Sequence, residues 1–183
     1  MMGKKRKILV VTFSFPTKLN EAAGIFILNQ LEYLKKDYDI KVLAPFPYVP
    51  RFKFLKSYKF SQVPFKERIN GIEIYRPKYL MLPRNKLTNL LINIILVFES
   101  LISETSSRKV VKSLAKDWNF DIIHSHGFVP DSLIAASIKK EYNKPLVITL
   151  HGEDVTKYSK MLFLRHLSKG ALSRCDRIIS VSK

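Results

Sequence analysis

The sequence predicts an α/β protein with a Rossmann-like, doubly wound, mostly parallel sheet and helices on both faces. Three observations predict it. Short apolar runs recur at Ile8–Phe13, Ile40–Ala44, Ile72–Tyr75, Phe120–His124, Leu146–Leu150 and Arg177–Val181. Most are continuous rather than alternating, which is how strands buried on both faces read. Helical spacings lie between them, and strands alternating with helices give a parallel sheet. Finally, 183 residues with 46% hydrophobic and 26% charged side chains are enough for a real core and have a globular composition.

Each element follows from its own pattern. Lys4, Lys5, Arg6 and Lys7 precede the run Ile8–Val11. The run is short, polar residues follow it closely, and no small-residue cleavage site is well placed, so it reads as a basic tail and a buried strand rather than a signal peptide. Gly24 to Lys36 places Ile27, Leu28, Leu31 and Leu34 at helical spacing. Residues 45–70 hold Pro45, Pro47, Pro50 and Pro64, many aromatics and little periodicity, and a stretch of that length reads as a functional flap. Leu87 to Ile102 is the most apolar stretch but falls short of the roughly 20 residues of a spanning helix. It reads as a buried or membrane-surface helix. Asp131 to Tyr142 carries Leu133, Ile134, Ala136 and Ile138, and Lys160 to Leu172 carries Leu164, Leu167 and Leu172. The last strand ends the chain without the crossover helix that a parallel strand normally feeds. The expectation is a single domain over residues 1–183, cut from a longer protein.

Charge is the unusual feature. Lys and Arg number 32 against 15 Asp and Glu, a net charge of +17. An anionic partner is expected. Residues 51–86 hold ten basic and two acidic side chains, a local +8, with Phe52, Phe54, Tyr58, Phe60 and Phe65 interleaved. Basic residues with exposed aromatics suit an anionic membrane surface. The contact candidates are Arg51, Phe52, Lys53, Phe54, Lys56 and Lys59; the same stretch also reads as a solvated loop whose aromatics pack on the domain. Nucleic acid is disfavoured, because no helix-turn-helix, zinc-finger or RNP signature is present. The single cysteine, Cys175, excludes an internal disulfide framework and a multi-cysteine zinc site.

In open parallel sheets, ligands bind outside the carboxyl ends of the strands. After the first run comes Gly24 at a helix start, where free N–H groups suit phosphate; as a mere turn residue it would read the same. After the Phe120 run come His124, Ser125, His126 and Gly127. The two histidines share a strand face. They read either as hydrogen-bonded strand-end residues or as the lining of a substrate crevice, and a lone pair does not make a zinc site. After Leu146–Leu150 come His151, Gly152, Glu153 and Asp154. The carboxylates could bind hydroxyls, act as a base, or cap the next helix. No G-x-G-x-x-G, Walker A or G-x-S-x-G motif occurs, so dinucleotide, P-loop and serine-elbow chemistry lack their signatures.

These pieces in this order resemble the N-terminal domain of a family 4 glycosyltransferase with the GT-B fold. The resemblance rests on Ile8–Val11 with Phe15-Pro16, on Ala23-Gly24-Ile25-Phe26, on Phe120–Gly127, on Pro145–Asp154 and on Cys175–Ser182. It implies one half of a GT-B fold, in a retaining enzyme that uses a nucleotide-sugar donor as co-substrate and no metal or other cofactor. It implies that Gly24 lies near the donor diphosphate, that His126 faces the reacting sugar as the catalytic candidate, and that His151 and Asp154 line the cleft, with Gly152 and Glu153 beside them as substrate-binding candidates. It implies a sugar acceptor, lipid-linked or an envelope glycan, reached from the cytoplasm at the inner face of the membrane. Two departures matter. Ala23-Gly24 stands where the family often has Gly-Gly, and the Glu-x7-Glu motif of the donor-binding C-terminal domain is absent. The isolated chain is therefore expected to be inactive. The other reading is a non-catalytic, stand-alone module that binds a sugar or lipid.

Overall fold

Parallel strands and connecting helices alternate along the chain in a computed structural model, which describes residues 5–54, 57–82, 91–152, 156 and 162–181. The strands are β1 Arg6–Val11, β2 Tyr38–Leu43, β3 Phe46–Pro47, β4 Lys66–Ile69, β5 Ile72–Tyr75, β6 Lys78–Tyr79, β7 Ile122–His126, β8 Leu146–Leu150 and β9 Arg177–Ser180. The helices are α1 Ile25–Leu34, α2 Ile92–Asp117, α3 Asp131–Tyr142 and α4 Leu162–Leu172, with a 3-10 turn at Tyr58–Gln62.

The main sheet runs β4-β5-β2-β1-β7-β8-β9. Every neighbouring pair is parallel except β4–β5. The parallel strands thus stand third, second, first, fourth, fifth, sixth in chain order, which is the Rossmann arrangement. The order reverses between β1 and β7, the point at which open parallel sheets bind ligands beyond their strand ends.

Strand alternation divides the core. Ile8 and Val10 of β1 point one way, with Ile40, Val42, Ile72 and Ile74, and α1 covers them with Ile27, Leu28 and Leu31. Leu9 and Val11 point the other way, with Leu43, Ile123, Leu146 and Ile148. Over these lie Val111, Leu114 and the nearby Trp118 at the end of α2, Ile134, Ala135 and Ile138 of α3, and Ala171 of α4. Each such side chain contributes about 1.5–3 kcal/mol on full burial. The predicted class and the two-faced helix coverage both hold.

The structure differs from the sequence reading in two places. The region read as irregular, residues 45–70, contains β3, the 3-10 turn and β4. β4 pairs antiparallel with β5 through a two-residue turn at Asn70-Gly71, both at positive φ (49° and 84°). That is the conformation an Asn-Gly hairpin turn requires. The helix read as ending at Ile102 continues to Asp117. Its later half is polar outside, and its inward Val111 and Leu114 are too sparse to announce a helix by periodicity.

The basic stretch also divides. Arg51, Phe52, Lys53, Phe54 and Lys59 are exposed, and Phe52 stacks on Phe54 at 5.6 Å. Lys56 lies outside the described residues. Arg76 is buried against Glu67, while Lys66 and Arg68 pair with Glu73, so those cations serve the fold.

Candidate active site

The crevice at the β1/β7 reversal is built by three chain segments. The first is the loop from β1 into α1. Thr12 donates its hydroxyl to the Ser14 carbonyl at 3.1 Å and accepts the Ser14 N–H at 3.2 Å, which folds the chain sharply at the strand end. Gly24, at φ +62°, closes that loop against the same carbonyl. A Cβ there would lie 2.0 Å from the Ser14 oxygen, so only glycine fits. α1 starts at the next residue, and its first turn brings Phe26 against His151.

The second segment is the end of β7. His124 pairs in register with Val10, so the histidines face the α1 side of the sheet. The His124 Nε2 is hydrogen-bonded to the Thr149 hydroxyl of β8 at 2.9 Å. His126 sits 4.3 Å from His124, ring to ring, and is only 3% exposed. Neither of its ring nitrogens has a hydrogen-bond partner among the described residues. A buried polar group without a partner is costly, and such groups mark places where something else binds. Burial first, then the neighbouring His124 and His151, depress the His126 imidazole to about 2. Burial and His151 hold His124 at about 4. Both rings are therefore neutral near pH 7. A neutral ring with both nitrogens open donates one hydrogen bond and accepts one.

The third segment is the end of β8. His151 stacks on His126 at 5.7 Å, and Phe26 of α1 meets it edge-on at 4.7 Å. The three histidines thus form a column from the sheet floor to the α1 rim. Gly152 is exposed, and the Thr156 hydroxyl donates to its carbonyl at 3.1 Å. Glu153 and Asp154 lie outside the described residues. Among the sequence-predicted positions, the structure brings Gly24, His126, His151 and Gly152 to one end of the sheet. The exposed Arg51, Phe52, Lys53 and Phe54 belong to the flap. No group of three or more metal-ligating side chains suited to an ion occurs among the described residues.

Sequence reasoning missed Asp131. It reads as an ordinary acidic residue at a helix start. In the structure its buried carboxylate accepts the Phe13 N–H at 2.6 Å, tying α3 to the end of β1. It also lies against Gly127, whose φ is +115° and where a Cβ would come within 3.2 Å of the carboxylate. A concavity of about 700 Å³ lies elsewhere. It lies between α2 and the sheet and is lined by Lys41, Lys66, Glu73, Tyr75, Lys78 and Trp118. Its Glu73 is already engaged by Lys41, Lys66 and Arg68.

The chain is 30% identical over 177 residues to a protein of Bacillus subtilis (strain 168) provisionally named teichuronic acid biosynthesis glycosyltransferase TuaC, covering 94% of this chain and 41% of that one. It is 27% identical over 147 residues to the uncharacterized glycosyltransferase MJ1178 of Methanocaldococcus jannaschii, covering 79% of this chain and 41% of the relative. The chain thus spans about two fifths of the length of these relatives. Among solved structures, the calicheamicin glycosyltransferase CalG4 matches 91% of the chain and 38% of its own at 12% identity, with a TM-score of 0.46. A Listeria monocytogenes protein described as a UDP-N-acetylglucosamine 2-epimerase, by provisional assignment, matches 98% and 40% at 14% identity, with a TM-score of 0.49. Likenesses this distant carry no weight beside the strand order itself. The family model for Glycosyltransferase Family 4 matches residues 23–183, which takes in α1, both histidine strands and β9. The chain belongs to glycosyltransferase family 4.

Proposed function

We propose that these residues form the acceptor-side half of a GT-B enzyme, which transfers a sugar from a nucleotide-sugar donor to an acceptor with retention of configuration. The acceptor is a lipid-linked or envelope glycan, met in the cytoplasm at the inner face of an anionic membrane. The observation that carries the reading is His126: buried, neutral, open at both ring nitrogens, and placed where the strand order reverses. A ring held neutral is a poor base and a good hydrogen-bonding partner. Its role is to orient hydroxyls of the reacting sugar. The Gly24 loop offers the α1 N-terminus to the diphosphate, whose growing charge must be stabilised as it leaves. His151, Gly152, Glu153 and Asp154 form the rim toward donor and acceptor. The remaining donor contacts come from a second, C-terminal domain outside these 183 residues.

The test is transfer from radiolabelled nucleotide sugars to membrane extracts, by the whole protein and by residues 1–183. The whole protein turns over; residues 1–183 alone do so negligibly. His126→Ala in the whole protein lowers kcat on the order of a hundredfold, the usual cost of one lost transition-state hydrogen bond. Robust turnover by the 183 residues would overturn the half-site reading. Unchanged kcat in His126→Ala would remove the histidine from it.

A further inference from the structure

Helix α2 buries Ile95 in its first half but also turns several large apolar side chains outward. On its inward side Glu99, Ser100, Ser103 and Ser107 are buried along with Ile95. Ser100 and Ser103 donate their hydroxyls to the Leu96 and Ser100 carbonyls, and the Glu99 carboxylate accepts the Leu82 N–H. The outward side carries Leu91, just ahead of the helix, then Ile94, Phe98 and Leu101, exposed by 48%, 61%, 49% and 50%. Their spacing of three, four and three residues makes one stripe about 15 Å long. Leu80 and Met81 are exposed as well, next to the segment that Glu99 holds. A helix facing water shows the opposite polarity.

The same stripe continues through Thr105 to Arg108, Lys109, Lys112 and Lys116, all exposed. Arg108 pairs with Glu104 and Glu141; none of the ion pairs among the described residues uses Lys109, Lys112 or Lys116. The charge selects the occupant. Two copies docked on this stripe in parallel would set lysines against lysines. Docked antiparallel, they would set lysines against leucines. An anionic bilayer satisfies both halves at once, taking leucine, isoleucine and phenylalanine at the acyl boundary and lysines at the headgroups. No helix among the described residues is long and apolar enough to cross a membrane, so the contact is in the plane of the interface.

We propose that the outward stripe of α2, with Leu80 and Met81, is the surface that docks on an anionic bilayer. This rests on the membrane association proposed above and moves its main contact from the flap to the helix. The orientation that follows serves the site. Phe13 at the end of β1, Tyr79, Leu96 and Glu99 line one small cavity of about 140 Å³, so the apolar half of α2 adjoins the carboxyl end of the sheet. Docking there sets the carboxyl end of the sheet beside the lipid surface.

Flotation of the chain with vesicles of phosphatidylcholine, with and without phosphatidylglycerol, tests the assignment at low salt. The wild type floats with the anionic vesicles. Ile94→Ser with Phe98→Ser lowers partitioning on the order of tenfold or more, while its melting temperature stays near wild type because both side chains point outward. Lys109→Glu with Lys112→Glu and Lys116→Glu abolishes the preference for phosphatidylglycerol. Phe52→Ser with Phe54→Ser changes partitioning by less than about twofold. If the flap variant is released and the α2 variant still floats, the helix assignment is overturned and membrane association stands. If the wild type never floats, both are overturned. If sedimentation shows a dimer that Ile94→Ser with Phe98→Ser dissolves, without flotation, the stripe is a self-association surface and the assignment is overturned.

Discussion

At Gly24 one carbonyl oxygen decides the residue. The Ser14 oxygen occupies the space a Cβ would need, and the backbone is left-handed. Gly24→Ala must move the β1–α1 loop, and the expected cost is about 2 kcal/mol or more, read as a lowered urea midpoint. The glycine was legible in the sequence as a helix-start residue after a strand. Its contact with Ser14 was not, because that depends on how Thr12 turns the chain. The two His-Gly steps were legible for a different reason: parallel sheets place sites at carboxyl strand ends, and both steps fall there. The stacking of His124, His126 and His151 depends on β7 and β8 being neighbours, which no local pattern states. Asp131 was illegible for the same reason. Its partner, the Phe13 N–H, is 118 residues away. Asp131→Ala is expected to cost about 1.5–3 kcal/mol, because a half-buried N–H at the end of β1 loses a charged acceptor; chemical denaturation measures it.

Among the elements, the β4–β5 hairpin has a role its sequence does not suggest. Arg76 follows β5 and is only 1% exposed. Its Nε donates to Glu67 of β4 at 2.8 Å, and its Nη2 donates to the Pro16 carbonyl at 2.6 Å. The edge hairpin thereby holds the loop that carries Ser14 and leads to Gly24. Arg76→Ala leaves the Glu67 carboxylate without its partner and is expected to destabilise by about 3–5 kcal/mol. Arg76→Leu with Glu67→Gln removes both charges and is expected to cost less than Arg76→Ala alone; parallel denaturation curves decide it. Sequence reasoning placed Arg76 in a basic, membrane-facing stretch because it counts charges without knowing which are paired. It missed β4 because the proline-rich surroundings outweighed the Asn70-Gly71 signal. It found the first half of α2 by apolar content and left buried or membrane-surface contact open. The structure shows Ile95 buried but Ile94, Phe98 and Leu101 pointing outward.

Across the whole molecule, these groups make stability depend on pH in two separate windows. An unfolded imidazole takes up a proton as pH falls through about 6.5, whereas folded His124 stays neutral to about 4 and folded His126 to about 2. Below pH 6.5 the unfolded chain therefore binds more protons, and stability falls with pH, by up to about 1.4 kcal/mol per pH unit for each histidine. Glu73 acts lower down. Burial alone would raise its carboxyl, but hydrogen bonds from Tyr75, Arg68 and Lys41 outweigh it and hold the group at about 2, against 4.5 when unfolded. Its contribution is intact above pH 4.5 and is lost from there toward 2. Melting temperatures measured from pH 8 to pH 3 should be level down to about 6.5, fall through the histidine window, and steepen below 4.5. His124→Gln should reduce the upper fall to the share of His126, whereas Glu73→Gln should remove the extra steepening below 4.5 and leave the upper fall. A histidine variant that melts with the wild-type slope between pH 6.5 and 4.5 would mean that the column is already open to protons in the folded state, and with it would go the neutral His126 on which the proposed sugar contact depends.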